Sequence, residues 1–281
     1  MKEIVQDVLV EDGYQGVTVG AIRTDDGIVM IDTPITTKEI QSWQTTCMRA
    51  GGNPRRLLIL LDDHPDRTAG AVNQRCPIIV QEKTAQILRS RPSATKMQGM
   101  ETGALWERVP EITTIEWPKP EITFSESLNV NWGNDPILIE SHPGPTAGSS
   151  WVFLPKQKVV FVGDSVTPDV PPFLSSAEIE PWLESLDILR GAKYKDYMII
   201  GGRSALVTKD DLKAVQRFLK KALRAFERLS NQDADLVKVQ KTALSYLDDF
   251  KARNKAEKDL FRARLSYGFS KYYINNYAKK K

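Results

Sequence analysis

Residues 57–67 read Leu-Leu-Ile-Leu-Leu-Asp-Asp-His-Pro-Asp-Arg, five apolar side chains followed without transition by a charged loop. The apolar run is too short for a helix and shows no alternation, so it reads as a strand covered on both faces. It delivers three carboxylates, one imidazole and one guanidinium to the end of a sheet within six residues. On either side, the same pattern of an apolar strand ending in polar residues recurs. Ile28–Ile31 leads into Asp32-Thr33, Val159–Val162 into Gly163-Asp164-Ser165, and Tyr197–Ile200 into Gly201-Gly202-Arg203.

The remaining elements fall between these strands. Val17–Ile22 pairs with Ile28–Ile31 across the turn residues Thr24-Asp25-Asp26-Gly27. Thr36 and Glu39 have capping-box spacing, and Ile40, Trp43 and Met48 supply a helical face that Gly51-Gly52-Asn53-Pro54 stops. A short strand over Ile78–Val80 precedes a helix over Glu82–Leu88. Residues 90–120 are broken by Pro92, Gly99, Gly103, Pro110, Pro118 and Pro120 and read as an irregular excursion, a site cover or a surface loop. Strands resume at Ile122–Phe124, Leu128–Trp132 and Pro136–Glu140, followed by the turn His142-Pro143-Gly144-Pro145-Thr146-Ala147-Gly148-Ser149. Trp151–Leu154 and Val159–Val162 form a hairpin, and a helix spans Pro181–Leu189. From Thr208, a second capping box with Asp211, the periodicity is helical. Leu212 to Leu229 trace one helix, Leu236 to Phe250 a second, and Leu260 to Phe269 a third.

Charge divides the chain at Ala205. Residues 206–281 carry 19 Lys+Arg against 9 Asp+Glu, whereas residues 1–205 carry 20 against 27, so +10 and −7 make the overall +3. Such a basic extension suits either nucleic acid or a solvated helical face on an acidic body. Without any recognition motif the second is expected and nucleic-acid binding is not. No run reaches the roughly 18–20 apolar residues of a membrane span, and the acidic start argues against export, so a cytoplasmic protein is expected. Cys47 and Cys76 form no metal motif or disulfide framework. Only two histidines, His64 and His142, are present, which excludes an imidazole-rich metal cluster. Walker, Gly-x-Gly-x-x-Gly and Gly-x-Ser-x-Gly motifs are absent; a Ser-His-Asp triad drawing on Ser141, Ser149 or Ser165 stays open without support from spacing. Tyr267, Phe269, Tyr272, Tyr273 and Tyr277 suit helix packing or a homodimer surface, and Lys279–Lys281 a frayed end.

The five signatures, Ile31-Asp32-Thr33, the 62–67 loop, the 142–149 turn, Gly163-Asp164-Ser165 and Gly201-Gly202, occur in the order found in the metallo-β-lactamase superfamily, and the chain resembles that family over residues 14–205. The resemblance implies an α+β fold, a four-layer αββα sandwich over residues 1–205 with its site at the sheet ends, and a basic α-helical extension over 206–281 packed on it. The family pattern is a His-x-His-x-Asp-His loop, a Gly-His-Thr turn, a bridging aspartate after glycine and a late Gly-His. At those positions this chain has Asp62, His64, Asp66 and Arg67, then Pro145, Asp164 and Arg203. One of five family histidines is therefore retained.

The first subsite keeps Asp62, His64 and Asp164 as candidate ligands, because proline has no donor; His142, three residues before Pro145, and Asp32 are candidate supporting residues. The second subsite has Asp66, Asp164, Arg67 and Arg203. A guanidinium has no lone pair to give, but it pairs well with carboxylates, so Arg67 and Arg203 are expected to replace the second metal's charge or to bind an anion. The resemblance thus implies a dismantled binuclear site: a non-catalytic or small-anion-binding relative with no cofactor. The alternative is a hydrolase of a small ester, thioester or lactone with one divalent ion (Zn, Mn or Fe) at Asp62, His64 and Asp164, where Asp66 orients a metal-bound water.

Overall fold

The 57–61 run forms the strand β5 (Arg56–Ile59) of a seven-stranded sheet, between β4 (Gly27–Ile31) and β6 (Ile78–Gln81), parallel to both. A computed structural model describes residues 1–50, 53–93, 101–109 and 116–278. The helix stop at Gly51-Gly52, parts of the 90–120 excursion including Gly99 and Pro110, and the Lys279–Lys281 end lie outside the described residues.

The first sheet runs in sequence order: β1 (Lys2–Val5), β2 (Val8–Glu11), β3 (Val19–Thr24), β4, β5, β6 and β7 (Ile122–Phe124). The second has order β12, β11, β10, β9, β8, comprising β8 (Ser127–Val130), β9 (Ile137–Ser141), β10 (Ser150–Leu154), β11 (Val159–Gly163) and β12 (Met198–Gly201). Strand alternation builds three core layers from them. Val29 and Ile31 of β4 and Val159 and Phe161 of β11 point between the sheets, where Leu57, Ile59, Ile139 and Val152 join them. Ile28 and Met30 point outward, onto Trp43 and Cys47 of α1 (Thr37–Ala50) and Ala85 of α3 (Glu82–Ser90). Val160 and Val162 face α4 (Ile179–Arg190) and the C-terminal helices. The sheets approach closely at Gly20, where a Cβ would fall 2.5 Å from the Phe161 ring.

The α+β sandwich with C-terminal helices is as expected, with three local corrections. β1 and β2 were not foreseen: they are four-residue strands joined at Gln6-Asp7, with Asp7 in the left-handed region (φ 64°) where glycine is the usual turn signal. Met48 is exposed, and the inner face of α1 is Ile40, Trp43 and Cys47. The second C-terminal helix ends early: α6 (Leu236–Leu244) gives way to a 3₁₀ turn at Leu247–Asp249, leaving Leu236 and Leu244 exposed.

The helices after Thr208 are α5 (Lys209–Asn231), α6 and α7 (Lys255–Asn276). Leu212, Leu219, Phe226 and Phe269 share one hydrophobic cluster with Trp151, Val160 and Trp182. Phe226 contacts the rings of Phe269, Tyr272 and Tyr277, so those aromatic residues pack helix on helix. No helix among the described residues is long and apolar enough to cross a membrane.

Candidate functional site

Parallel pairs carry the site, because parallel strands end side by side. Asp32 directly follows β4, the chain beyond β5 runs on to Asp62, Asp164 directly follows β11, and Arg203 lies two residues past β12. Main-chain bonds lock the ends together: the Asp32 N–H donates to Ile59 O (2.9 Å), Gly202 N–H to Gly163 O (2.7 Å) and Ser150 N–H to Leu61 O (2.8 Å). The last bond ties the two sheets to each other.

Arg67 is 0 % exposed at the centre. It comes from α2 (Pro65–Thr68), a single turn whose N-terminus His64 caps. Its Nη1 pairs with Asp32, Nε lies 2.8 Å from Asp62 Oδ1, and Nη2 pairs with Asp164. The Nε and Nη2 contacts lie off the hydrogen-bond line, so charge attraction holds them. Asp32, in the left-handed region at φ 58°, also accepts the Leu61 N–H at 3.0 Å. Gly202 leaves the room: a Cβ there would fall 2.7 Å from Arg67 Nη2 and 2.8 Å from Asp164 Oδ1.

Arg203 bridges the other two carboxylates. Its Nε and Nη2 grip both oxygens of Asp164 (3.1–3.2 and 2.9 Å), and Nη1 donates to Asp66 Oδ2 and to Gly16 O, both at 2.8 Å. Asp66 also accepts the Trp106 N–H at 2.7 Å. The described part of the 90–120 excursion therefore closes over the site through its main chain. His64 Nδ1 accepts the Asp66 N–H at 3.3 Å and has Arg203 Nη2 at the same distance. With Nδ1 accepting, a neutral His64 carries its proton on Nε2.

The charges follow from this geometry. Burial pushes all four carboxylates up, but Arg203 and Arg67 outweigh it at Asp164, and Arg203 and His64 at Asp66, so both are held below the usual range. At Asp62 burial wins over Arg67, with Asp164 and Asp32 repelling, and the group is pushed up to about 7; burial likewise raises Asp32. Burial lowers His64 to about 3. Three carboxylates crowd the single guanidinium of Arg67, and burial together with their mutual repulsion favours the protonated form at Asp62 and Asp32.

The expected set is largely brought together: Asp32, Asp62, His64, Asp66, Arg67, Asp164 and Arg203 form one cluster. His142 is not in it. Its ring stacks on Trp151 (3.8 Å between centroids), with Nε2 at 3.2 Å from Glu140 and Nδ1 at 3.4 Å from Ser185 Oγ, so it cannot fill the gap at Pro145. Asp62 and Asp63, acidic residues in a loop, are nonetheless buried. Two of the three candidate triad serines are engaged elsewhere, Ser149 Oγ by the Thr146 N–H and Ser165 Oγ by Trp151 Nε1.

The residues do not fit a metal. Both Asp164 oxygens accept guanidinium N–H groups of Arg203, Asp62 Oδ1 accepts the His64 main-chain N–H at 2.8 Å, and His64 Nδ1 already accepts an N–H. Among the described residues no group of three or more His, Cys, Asp and Glu side chains is placed to hold an ion. Beside the cluster lies a cleft of about 170 Å³ lined by Asp63, His64, Arg91, Trp106, Phe173 and Tyr267 among others.

Sequence reading missed Arg91 and Arg264. Arg91, at the end of α3, pairs with Asp63 (Nη2–Oδ2 2.7 Å). Arg264 reaches in from α7, lies 3.9 Å from the Phe173 ring centre and donates to Gly103 O and Pro171 O. Burial and Arg203 lower it to about 9. Arg264 carries no sequence signal beyond a cation on an otherwise apolar face.

Residues 77–201 match the family model described as "Metallo-beta-lactamase superfamily", a stretch that begins after the 62–67 loop. No curated protein matches the sequence. Solved structures resemble it in fold. A metallo-beta-lactamase family protein from Thermus thermophilus has TM-score 0.63 at 14% identity, covering 97% of this chain and 93% of that one. The DIM-1 metallo-beta-lactamase gives 0.61 at 18% over 79% and 96%, and a metallo-beta-lactamase from Pontibacter korlensis 0.58 at 18% over 78% and 97%.

Proposed function

We propose that this chain, whose residues 77–201 match the metallo-β-lactamase superfamily model, is a divergent member of that superfamily whose site works without a metal and serves to bind a small molecule rather than to hydrolyse one. The observation that carries the reading is Arg67, wholly enclosed by Asp32, Asp62 and Asp164, with Arg203 joining Asp164 to Asp66. Two cations that cannot lose their protons stand in for the second metal's charge, and each is anchored by charge-assisted contacts. An arrangement like this sets the carboxylates and leaves neither Arg67 nor Arg203 free to polarise a substrate bond. Arg67, enclosed on all sides, is unable to meet a ligand, and Arg203 already commits Nε, Nη1 and Nη2 to Asp164, Asp66 and Gly16 O. Both act as charge replacements, and the ligand surface is the adjoining cleft.

Elemental analysis of protein purified and then equilibrated with zinc or manganese tests this. Substoichiometric metal is expected. One tightly bound equivalent, lost in His64→Ala, overturns the reading and selects a single-metal hydrolase at Asp62, His64 and Asp164.

A further inference from the structure

We infer that the cleft beside His64 receives a neutral ligand through a carboxamide edge, read by the ion pair Asp63–Arg91. The inference deepens the metal-free reading above and rests on it.

The pair is incomplete. Arg91 Nη2 reaches Asp63 Oδ2 and the Asp63 carbonyl, which leaves Arg91 Nη1 and Asp63 Oδ1 buried without a hydrogen-bond partner among the described residues. The two side chains are only 6 % and 11 % exposed. An unmade buried hydrogen bond costs about 1–3 kcal/mol, so one donor and one acceptor left over by a single ion pair ask for a partner offering both. The pair is fixed as well as incomplete, since Trp117 lies over the Arg91 guanidinium with 4.8 Å from its carbon to the ring centre. A third donor, Nε2–H of His64, belongs to a ring that also lines the cleft.

Charge selects among ligands. Arg91 and Asp63 neutralise one another, and Asp62 and Asp164 stand on the same wall. A carboxylate or phosphate finds no uncompensated cation here, and an ammonium faces Arg91. A primary amide has C=O for Arg91 Nη1 and N–H for Asp63 Oδ1. Trp106, Phe173 and Tyr267 give an aromatic wall for a flat apolar body, and about 170 Å³ limits that body to roughly one small ring.

Calorimetric titration of the full-length chain with benzamide, benzoate and benzylammonium tests the inference. Benzamide is expected to bind at one site, with benzoate and benzylammonium weaker by about tenfold or more. Arg91→Met is expected to weaken benzamide by a similar factor. Because that change strands Asp63, Ser176→Trp provides a second variant: Ser176 is exposed at the cleft, and an indole there competes with the ligand for its volume while both members of the pair are kept. Tighter binding of benzoate overturns the inference, as does no benzamide binding, or binding that Ser176→Trp leaves unchanged. Metal content of the same sample separates the two levels. Failure of benzamide in metal-free protein overturns the ligand class alone, whereas a stoichiometric metal overturns the reading beneath it.

Discussion

At the residue scale the cluster is a problem in charge balance, and its pieces make measurable demands. Removing the guanidinium of Arg67 leaves Asp32, Asp62 and Asp164 buried around no counter-charge. Arg67→Met is therefore expected to cost about 3–5 kcal/mol in urea unfolding, the range for breaking a buried pair from one side. pH tests the same balance. His64, lowered from 6.5 to about 3, contributes stability that is present above pH 6.5 and lost as pH falls toward 3, because the unfolded chain takes a proton that the native site refuses. Asp62, raised from 3.8 to about 7, contributes with the opposite sign: its stability is present below pH 3.8 and lost as pH rises through 7. Between about pH 4.5 and 6 the two linkages oppose each other, and the wild-type stability is expected to vary little. Asp62→Asn then exposes the His64 slope, rising with pH by up to about 1.4 kcal/mol per unit. His64→Gln exposes a falling one. Chemical denaturation across that window checks both signs, and a wild-type slope as steep as that of Asp62→Asn contradicts the compensation.

At the scale of elements, what the sequence made readable was whatever local pattern determines. The 57–61 run, the hairpin over 151–162 and both capping boxes were legible because strand burial, turn chemistry and caps are decided within a few residues. Both boxes form, Thr36 Oγ1 with Glu39 at 2.8 Å and Thr208 Oγ1 with Asp211 at 2.6 Å. The cluster was legible for a similar reason, since its members lie on the segments that leave the strand ends, and parallel strands end together. Less visible was anything that depends on a distant segment. Arg91 gains its meaning only from Asp63, 28 residues earlier, and Arg264 from Gly103, 161 residues earlier. His142 reads as a supporting residue three positions before Pro145, yet Trp151 and Ser185, brought alongside by β10 and α4, hold it away from the cluster. Gly103 shows how tightly such pieces meet: a Cβ there would fall 2.4 Å from the backbone nitrogen of Arg264.

At the scale of the whole molecule, the change in composition near Ala205 is not matched by any break in the core. The cations of α5 that make the extension basic, Lys213, Arg217, Lys220, Arg224 and Arg228, lie on its exposed face. Its apolar face lies in the same cluster as Val160, Val162 and Trp182. The extension also reaches the site, since Arg264 holds the carbonyl of Gly103 in the segment whose Trp106 N–H binds Asp66. A chain ending at Ala205 thus loses one wall of its core and one support of its site together, and uncovers the apolar surface that α5 and α7 now cover. A fragment of residues 1–205 is expected to aggregate or to form an expanded state, with strong dye binding to exposed apolar surface and loss of the near-ultraviolet dichroism of its buried tryptophans. A soluble fragment that unfolds cooperatively, with native near-ultraviolet bands, contradicts this and makes the helices a separable addition. The cooperative result also moves Arg264 out of the site's required parts, because the Asp66–Trp106 bond then survives without α7.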